Sequence, residues 1–280
     1  MHALGIDIGG TGIKAAPVDV ATGELLAERK KIATPRPATP AAVADVVREL
    51  AGEFGWTGIT GATFPGVVTN GTVRTAANVD HAWIGTDAAA LFGKALGTGV
   101  TVLNDADAAG IAELRFGVAA GRPGTVIFLT LGTGVGSGVF VDGKLVPNTE
   151  FGQMEIRGRA AERRSAAAAR VRRGLSWKAW AADLDEHLDR IYQLTWPNLM
   201  ILGGGVSKNA DKYIPRLTVK CPVVPAQLKN DAGIIGAAIV AAEANPVAAT
   251  VSGAIPGLGG VETGDTGNGT GPAPEVAEKA

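Results

Sequence analysis

The chain of 280 residues carries one cysteine, Cys221, and three histidines. A single thiol excludes a disulfide framework and any cysteine-based zinc cluster, so no zinc site is expected, and it suits a reducing compartment. His2, His81 and His187 are scattered without metal-ligand spacing. Excess charge of either sign is also missing: 26 Lys and Arg stand against 27 Asp and Glu. That balance excludes a bulk polycation, and no nucleic-acid partner is expected. No targeting segment is visible, because the opening residues lack a cationic stretch and Asp7 interrupts the place of an apolar one. The uncharged run Thr125–Val141 is broken throughout by Gly and Thr, too often for a spanning helix. A cytoplasmic protein without membrane contact is the expectation.

Glycine is what the chain has in surplus. Forty Gly and 15 Pro exceed the usual share of ~12% but follow no three-residue period, which excludes collagen. Hydrophobic residues make up 46% of the chain, enough for a core. Ala3–Ile8 reads as a strand, Gly9-Gly10-Thr11-Gly12 as a tight turn, and Ile13–Val20 as a second strand. Thr39 and Pro40 suit the N-cap and first position of a helix whose apolar period runs through Val43, Val47 and Leu50. The strand–glycine turn–strand opening recurs at Thr125–Leu131, Gly132–Gly136 and Gly138–Val141. This single duplication predicts two related α/β lobes. Residues 1–104 form the first, with one phosphate loop and part of a small-molecule site. Residues 105–245 form the second, with the last helix free to return toward the first lobe. Residues 246–280 carry eight Gly, four Pro and no aromatic residue, the composition of a disordered tail.

Glycine turns expose backbone N–H groups that can wrap phosphate oxygens. Two on duplicated lobes suggest one polyphosphorylated ligand gripped from both sides. Neither is a Walker loop, and neither opens a dinucleotide-binding unit. Asp7, beside the first turn, can hold Mg²⁺ directly or through water, or cap the turn. Lys14 can reach phosphate oxygens or lie in solvent. Asn104-Asp105-Ala106-Asp107 sits where a strand gives way to a helix. Asp105 there can accept a proton from a hydroxyl attacking phosphorus, or serve only as a cap. Glu150, Gln153 and Glu155 present two carboxylates and an amide that could grip vicinal sugar hydroxyls, or line a solvated loop.

Arg157–Arg173 holds seven Arg and one acid, Glu162. Read as one helix, it places Arg159, Arg163, Arg170 and Arg173 on one stripe and Arg157, Arg164 and Arg172 opposite. The stripe is either a solvated face or a track for a long anion. A helix is expected from Ser207, and the five Trp are read as packing residues.

Together these residues resemble the ROK sugar kinases of the actin/hexokinase-like superfamily, and more narrowly the actinobacterial polyphosphate glucokinases and glucomannokinases. The motifs are Asp7-Ile8-Gly9-Gly10-Thr11-Gly12-Ile13-Lys14, Thr63-Phe64-Pro65-Gly66, Ala76-Ala77-Asn78-Val79-Asp80, Asn104-Asp105-Ala106-Asp107, Leu131-Gly132-Thr133-Gly134, Pro147-Asn148-Thr149-Glu150-Phe151-Gly152 and Gly203-Gly204-Gly205. The resemblance implies a duplicated two-lobe α/β fold with ribonuclease H-like lobes, an interlobe cleft, and a homodimer. It implies transfer of a phosphoryl group from polyphosphate or ATP to the 6-hydroxyl of glucose, with mannose as a second acceptor. Asp105 matches the catalytic base. Asn78, Asn104, Glu150 and Glu155 match sugar ligands, with Pro65 and Gly66 as a wall. Gly9, Gly10, Thr11, Lys14, Thr130, Gly132, Thr133 and Gly134 match the phosphate loops, and Gly204 and Gly205 the adenosine side. Asp7 matches the Mg²⁺-associated carboxylate. Gln153 stands where the family has His, which leaves open an ATP-only hexokinase of different sugar preference, or a sugar-binding relative without catalysis.

Overall fold

The computed structural model describes residues 1–77 and 79–245. Asn78, expected as a sugar ligand, and the expected tail 246–280 lie outside the described residues.

The chain opens with β1 (His2–Ile8), β2 (Ile13–Asp19), β3 (Glu24–Leu25) and β4 (Lys30–Ile32), followed by helix α1 (Pro40–Glu53) and β5 (Thr60–Phe64). Thr39 caps α1 by accepting the Ala42 N–H, with Pro40 in the first turn. A small hairpin, β6 (Val68–Thr69) and β7 (Thr72–Val73), leads to α2 (Ala88–Leu96) and β8 (Val100–Asn104). These strands form a sheet in the order β3-β2-β1-β5-β8, with β4 also on β2.

Helix α3 (Asp105–Arg115) starts directly from β8. The pattern then repeats with β9 (Thr125–Leu131), β10 (Val135–Val141) and β11 (Lys144–Val146). After β12 (Glu155–Ile156), β13 (Arg159–Ala160), α4 (Glu162–Ser165), α5 (Ala167–Arg172) and α6 (Trp177–Thr195) come β14 (Leu199–Gly203), β15 (Val223–Pro225) and α7 (Ala232–Ala244). The second sheet runs β11-β10-β9-β14-β15. In both sheets the opening strand pairs antiparallel with its hairpin partner and parallel with the strand on its other side. The duplication read from two glycine turns is therefore a duplication of sheet topology.

Five layers result. One face of the first sheet packs Leu4, Ile6 and Ala62 against Val43, Val47 and Phe92 of α1 and α2. Its other face meets α3 and α7, which also pack on Phe128, Phe140 and Ile201 of the second sheet. Behind the second sheet, Ile127, Leu129 and Met200 pack against Trp180, Leu184 and Leu188 of α6. Helix α7 is the last described element, yet it sits on the first sheet. Its backbone approaches so closely that a Cβ on Gly61 of β5 would overlap the Ala237 carbonyl, and one on Gly236 would overlap the Ala108 carbonyl of α3.

Three sequence expectations change here. Residues after Gly204 form a 3₁₀ run, Gly205–Lys212, with a non-helical Asn209 inside, rather than a helix from Ser207. Trp196 ends α6 with φ 45° and is 71% exposed, unlike the buried Trp83 and Trp180, so it is not a core residue. The arginine segment is not one helix. Arg157 and Gly158 turn with positive φ into the β12–β13 hairpin, and extended Ala166 separates α4 from α5.

Candidate active site

Both glycine turns close on themselves. Gly9 N–H donates to Gly12 O at 3.2 Å, and Gly132 N–H donates to Gly134 O at 3.0 Å. Each follows the first strand of its sheet, so the two turns face one another across a cleft of about 660 Å³. Gly9, Gly10, Thr130, Gly132, Thr133 and Gly134 line it, as do Pro65, Gly66, Asn104, Asp105, Glu150 and Gln153. Strand-end placement of this kind is where open α/β sheets put their ligands.

Asp105 is held at the floor by the start of α3. Asn104 is the N-cap: its Oδ1 accepts the Ala106 and Asp107 N–H groups at 2.8 and 3.0 Å. Its Nδ2 donates to Gly66 O at 3.1 Å, tying the Pro65-Gly66 wall to the helix that bears Asp105. Removal from bulk water, reinforced by Asp7 and Glu150, pushes the Asp105 carboxyl up to about 7. A carboxyl poised there can exist as the base at neutral pH and still hold a proton it receives. Burial, with Glu162 nearby, also raises Glu150.

Asp7 accepts from Lys14 Nζ at 2.9 Å and from Thr63 Oγ1 at 3.1 Å. The first turn of α7 reaches it, since a Cβ on Gly233 would lie 3.0 Å from the carboxylate. Among the described residues no cluster of three His, Cys, Asp or Glu is placed to hold a metal. Asp7, beside the first glycine turn and near the Asp105 carboxyl, instead suits Mg²⁺, which is bound through one or two carboxylates together with substrate phosphates and water. Lys14 and Thr11 belong to the first loop and its second strand but are not among the cleft-lining residues. Glu155 also stands outside: it is exposed on β12, because the 3₁₀ turn Phe151–Gln153 separates it from Glu150. Gly205 lines a neighbouring pocket with Trp177, and Gly204, at φ 84°, begins the 3₁₀ run beside it.

Several supports were not read from the sequence. Glu162 lines the cleft, where its carboxylate accepts from Val135 N–H at 3.0 Å and from Gln153 Nε2 at 3.0 Å. Asp107 Oδ2 accepts the Asn148 N–H at 2.9 Å, and the Asn148 side chain pairs with both Val68 N–H and Val68 O at 2.9 and 2.8 Å. This clamp joins the loop before Glu150 to the strand after Gly66. Burial raises the Asp107 carboxyl to about 7 as well, and its Oδ1 has no partner. His187 lies buried behind the loop. Its Nε2 faces Phe151 O at 3.0 Å and so donates, leaving Nδ1, 2.9 Å from Ser165 Oγ, to accept. Burial lowers the His187 pKa, consistent with a neutral ring. The only advance signal for these contacts was the pairing of Asp107 with a strand-end motif.

Comparison with known proteins gives concordant matches. The ROK family pattern matches residues 3–156. Polyphosphate glucokinase of Mycobacterium tuberculosis (strain CDC 1551 / Oshkosh) is 52% identical over 239 residues, covering 85% of this chain and 90% of that protein. The inorganic polyphosphate/ATP-glucomannokinase from Arthrobacter sp. strain KM superposes with a TM-score of 0.84 at 49% identity, over 87% of this chain and 99% of that one. A ROK family glucokinase from Streptomyces griseus, in complex with glucose and AMPPNP, superposes with a TM-score of 0.76 at 25% identity, over 87% and 100% of the two chains.

Proposed function

This chain belongs to the ROK family, and from that premise we propose that it transfers a phosphoryl group from inorganic polyphosphate or ATP to the 6-hydroxyl of glucose, giving glucose 6-phosphate. One observation carries the chemistry: a carboxyl raised to about 7, Asp105, lies on the floor of a cleft walled by two glycine turns with exposed backbone N–H groups.

In this reading Asp105 accepts the proton of the sugar 6-hydroxyl. The oxygen bonds to the terminal phosphorus of the donor as the bridging P–O bond breaks, and the shortened donor leaves with that electron pair. Asn104, Glu150 and Gln153 would hold sugar hydroxyls against the Pro65-Gly66 wall, together with Asn78. The N–H groups of the two turns would hold donor phosphates. Asp7 is the residue that would hold Mg²⁺, an ion that neutralises phosphate charge when bound. Closure of the two lobes would exclude water, and with it hydrolysis of the donor. Mannose is the second acceptor to screen, since the Arthrobacter relative is a glucomannokinase.

The test is an assay of glucose 6-phosphate formation with Mg²⁺ and either ATP or polyphosphate, with Asp105→Asn as control. Turnover with neither donor refutes the reading if the protein is folded and binds glucose; it then stands as a sugar-binding relative.

A further inference from the structure

Thr133, on the second glycine turn, lines three depressions at once: the catalytic cleft, an arginine-lined cleft and the pocket of Trp177. We propose that the phosphate donors part company at this residue. Inorganic polyphosphate runs into the arginine cleft, and a nucleoside triphosphate directs its base into the pocket walled by Trp177 and the Arg170 guanidinium stacked on it. The proposal rests on the kinase reading above and adds which surface takes which donor.

The chemistry of the two branches is opposite. The arginine cleft, about 820 Å³, is lined by Arg157, Arg159, Arg163, Arg164, Arg172 and Arg173 with Thr133, Ile156 and Glu162. The other branch, about 410 Å³, is lined by Leu131, Val171, Val206 and Trp177, with the Arg170 guanidinium 3.9 Å above the indole ring. A nucleobase has flat apolar faces that suit the second surface. A polyphosphate chain has none; every unit presents anionic oxygens that suit guanidinium forks.

The cleft is concave and continuous with the cleft of Asp105 through Thr133 and Glu162, unlike a solvated helix face. Its arginines converge from the β12–β13 hairpin, α4, α5 and the turn after it. Some are framework: Arg164 and Arg173 both bind Asp183, and Arg157 binds Glu186. Glu162 already accepts two hydrogen bonds. Arg159, Arg163 and Arg172 have no carboxylate partner among the described residues; Arg172 only donates to the Arg163 carbonyl. Six cations against Glu162, Asp183 and Glu186 leave an excess of positive charge in the cleft. Arg170, which a helical stripe would have included, belongs to the nucleoside branch.

The test is the triple variant Arg159→Gln, Arg163→Gln, Arg172→Gln, assayed with ATP and with linear polyphosphates of defined length. The KM for long polyphosphate should rise about ten-fold or more, the worth of one charged hydrogen bond. The KM for ATP and for glucose should stay within about two-fold, which also shows that the variant is folded. In the parent, the polyphosphate KM should climb with salt more steeply than the ATP KM, because exposed charges are screened; this arm needs no variant. Equal changes with both donors overturn the assignment, as does a parent that uses ATP alone. So does competition by a single-stranded oligonucleotide as strong as that by polyphosphate of equal charge, which would mark a general polyanion surface. A parent inactive with either donor overturns the kinase reading itself.

Discussion

If Asp105 is the base, its raised pKa must appear in the rate. An ordinary aspartate, near 3.8, would leave kcat/KM flat down to about pH 5. With the folded value at about 7, only about a tenth of the enzyme is ionised at pH 6 and about a hundredth at pH 5, so kcat/KM should fall about ten-fold per pH unit below 7. Donor phosphates titrate in the same range, so the informative quantity is a difference between enzymes. Glu150 is one of two negative neighbours that hold Asp105 up. An interaction of about 1 kcal/mol across such a cleft is worth about 0.7 of a pH unit. Glu150→Gln should therefore move the acid limb down by about that much. The donor's own titration is common to both enzymes and cancels. Its kcat/KM should also drop, because Glu150 would contact the sugar, but the position of the limb is the readout. Asp105→Asn should lose about 10²–10⁴-fold in kcat. Initial rates from pH 5 to 8, with glucose 6-phosphate measured in quenched samples, provide the assay. A flat profile in the parent, a limb that moves upward in Glu150→Gln, or near-normal kcat in Asp105→Asn would each remove Asp105 from the role.

Other outcomes follow from packing and charge. Gly236→Ala should destabilise by about 1–3 kcal/mol or more through overpacking against the Ala108 carbonyl, read as a lower midpoint in urea. Asp107 binds its proton more tightly folded than unfolded, so its contribution to stability is full below about pH 4 and lost as pH rises through about 7; Asp107→Asn should flatten the fall in Tm between pH 5 and 8. Asn148→Ala removes the clamp on Val68 and should raise the glucose KM several-fold, with less effect on the donor KM. Trp177→Ala should raise the KM for ATP while leaving that for polyphosphate within about two-fold.

What could be read in advance was whatever is contiguous in the chain. The glycine turns, the Thr39 cap and the Asn104-Asp105 junction are each written in a few neighbouring residues, and their recurrence carried the two-sheet architecture. The Asp107–Asn148–Val68 clamp spans 41 and 80 residues, and no local pattern encodes it. The arginine segment misled for a different reason. Its composition suits a helix, but the positive φ at Arg157 and Gly158 and the extended Ala166 break it, so residues assigned to opposite faces line one cleft. Glu155 follows Glu150 closely in sequence, yet an intervening 3₁₀ turn sends it elsewhere.

The place of α7 sets a rule for how the chain can be made. Its partners on the first sheet, β1 and β5, are finished before residue 65, but the helix that covers them leaves the ribosome roughly 170 residues later. At synthesis rates of about 5–20 residues per second, that interval is on the order of 10–30 s. Throughout it, the sheet face around Gly5 and Gly61 has no α7 to cover it, and α3, which bears Asp105, lacks its α7 partner. The first lobe is therefore not a unit that can be completed first and set aside. A nascent chain halted anywhere short of Ala232 should hold a half-covered sheet and an unsupported Asp105, and should be bound by chaperones, whereas one released after Ala244 can close both lobes in one step.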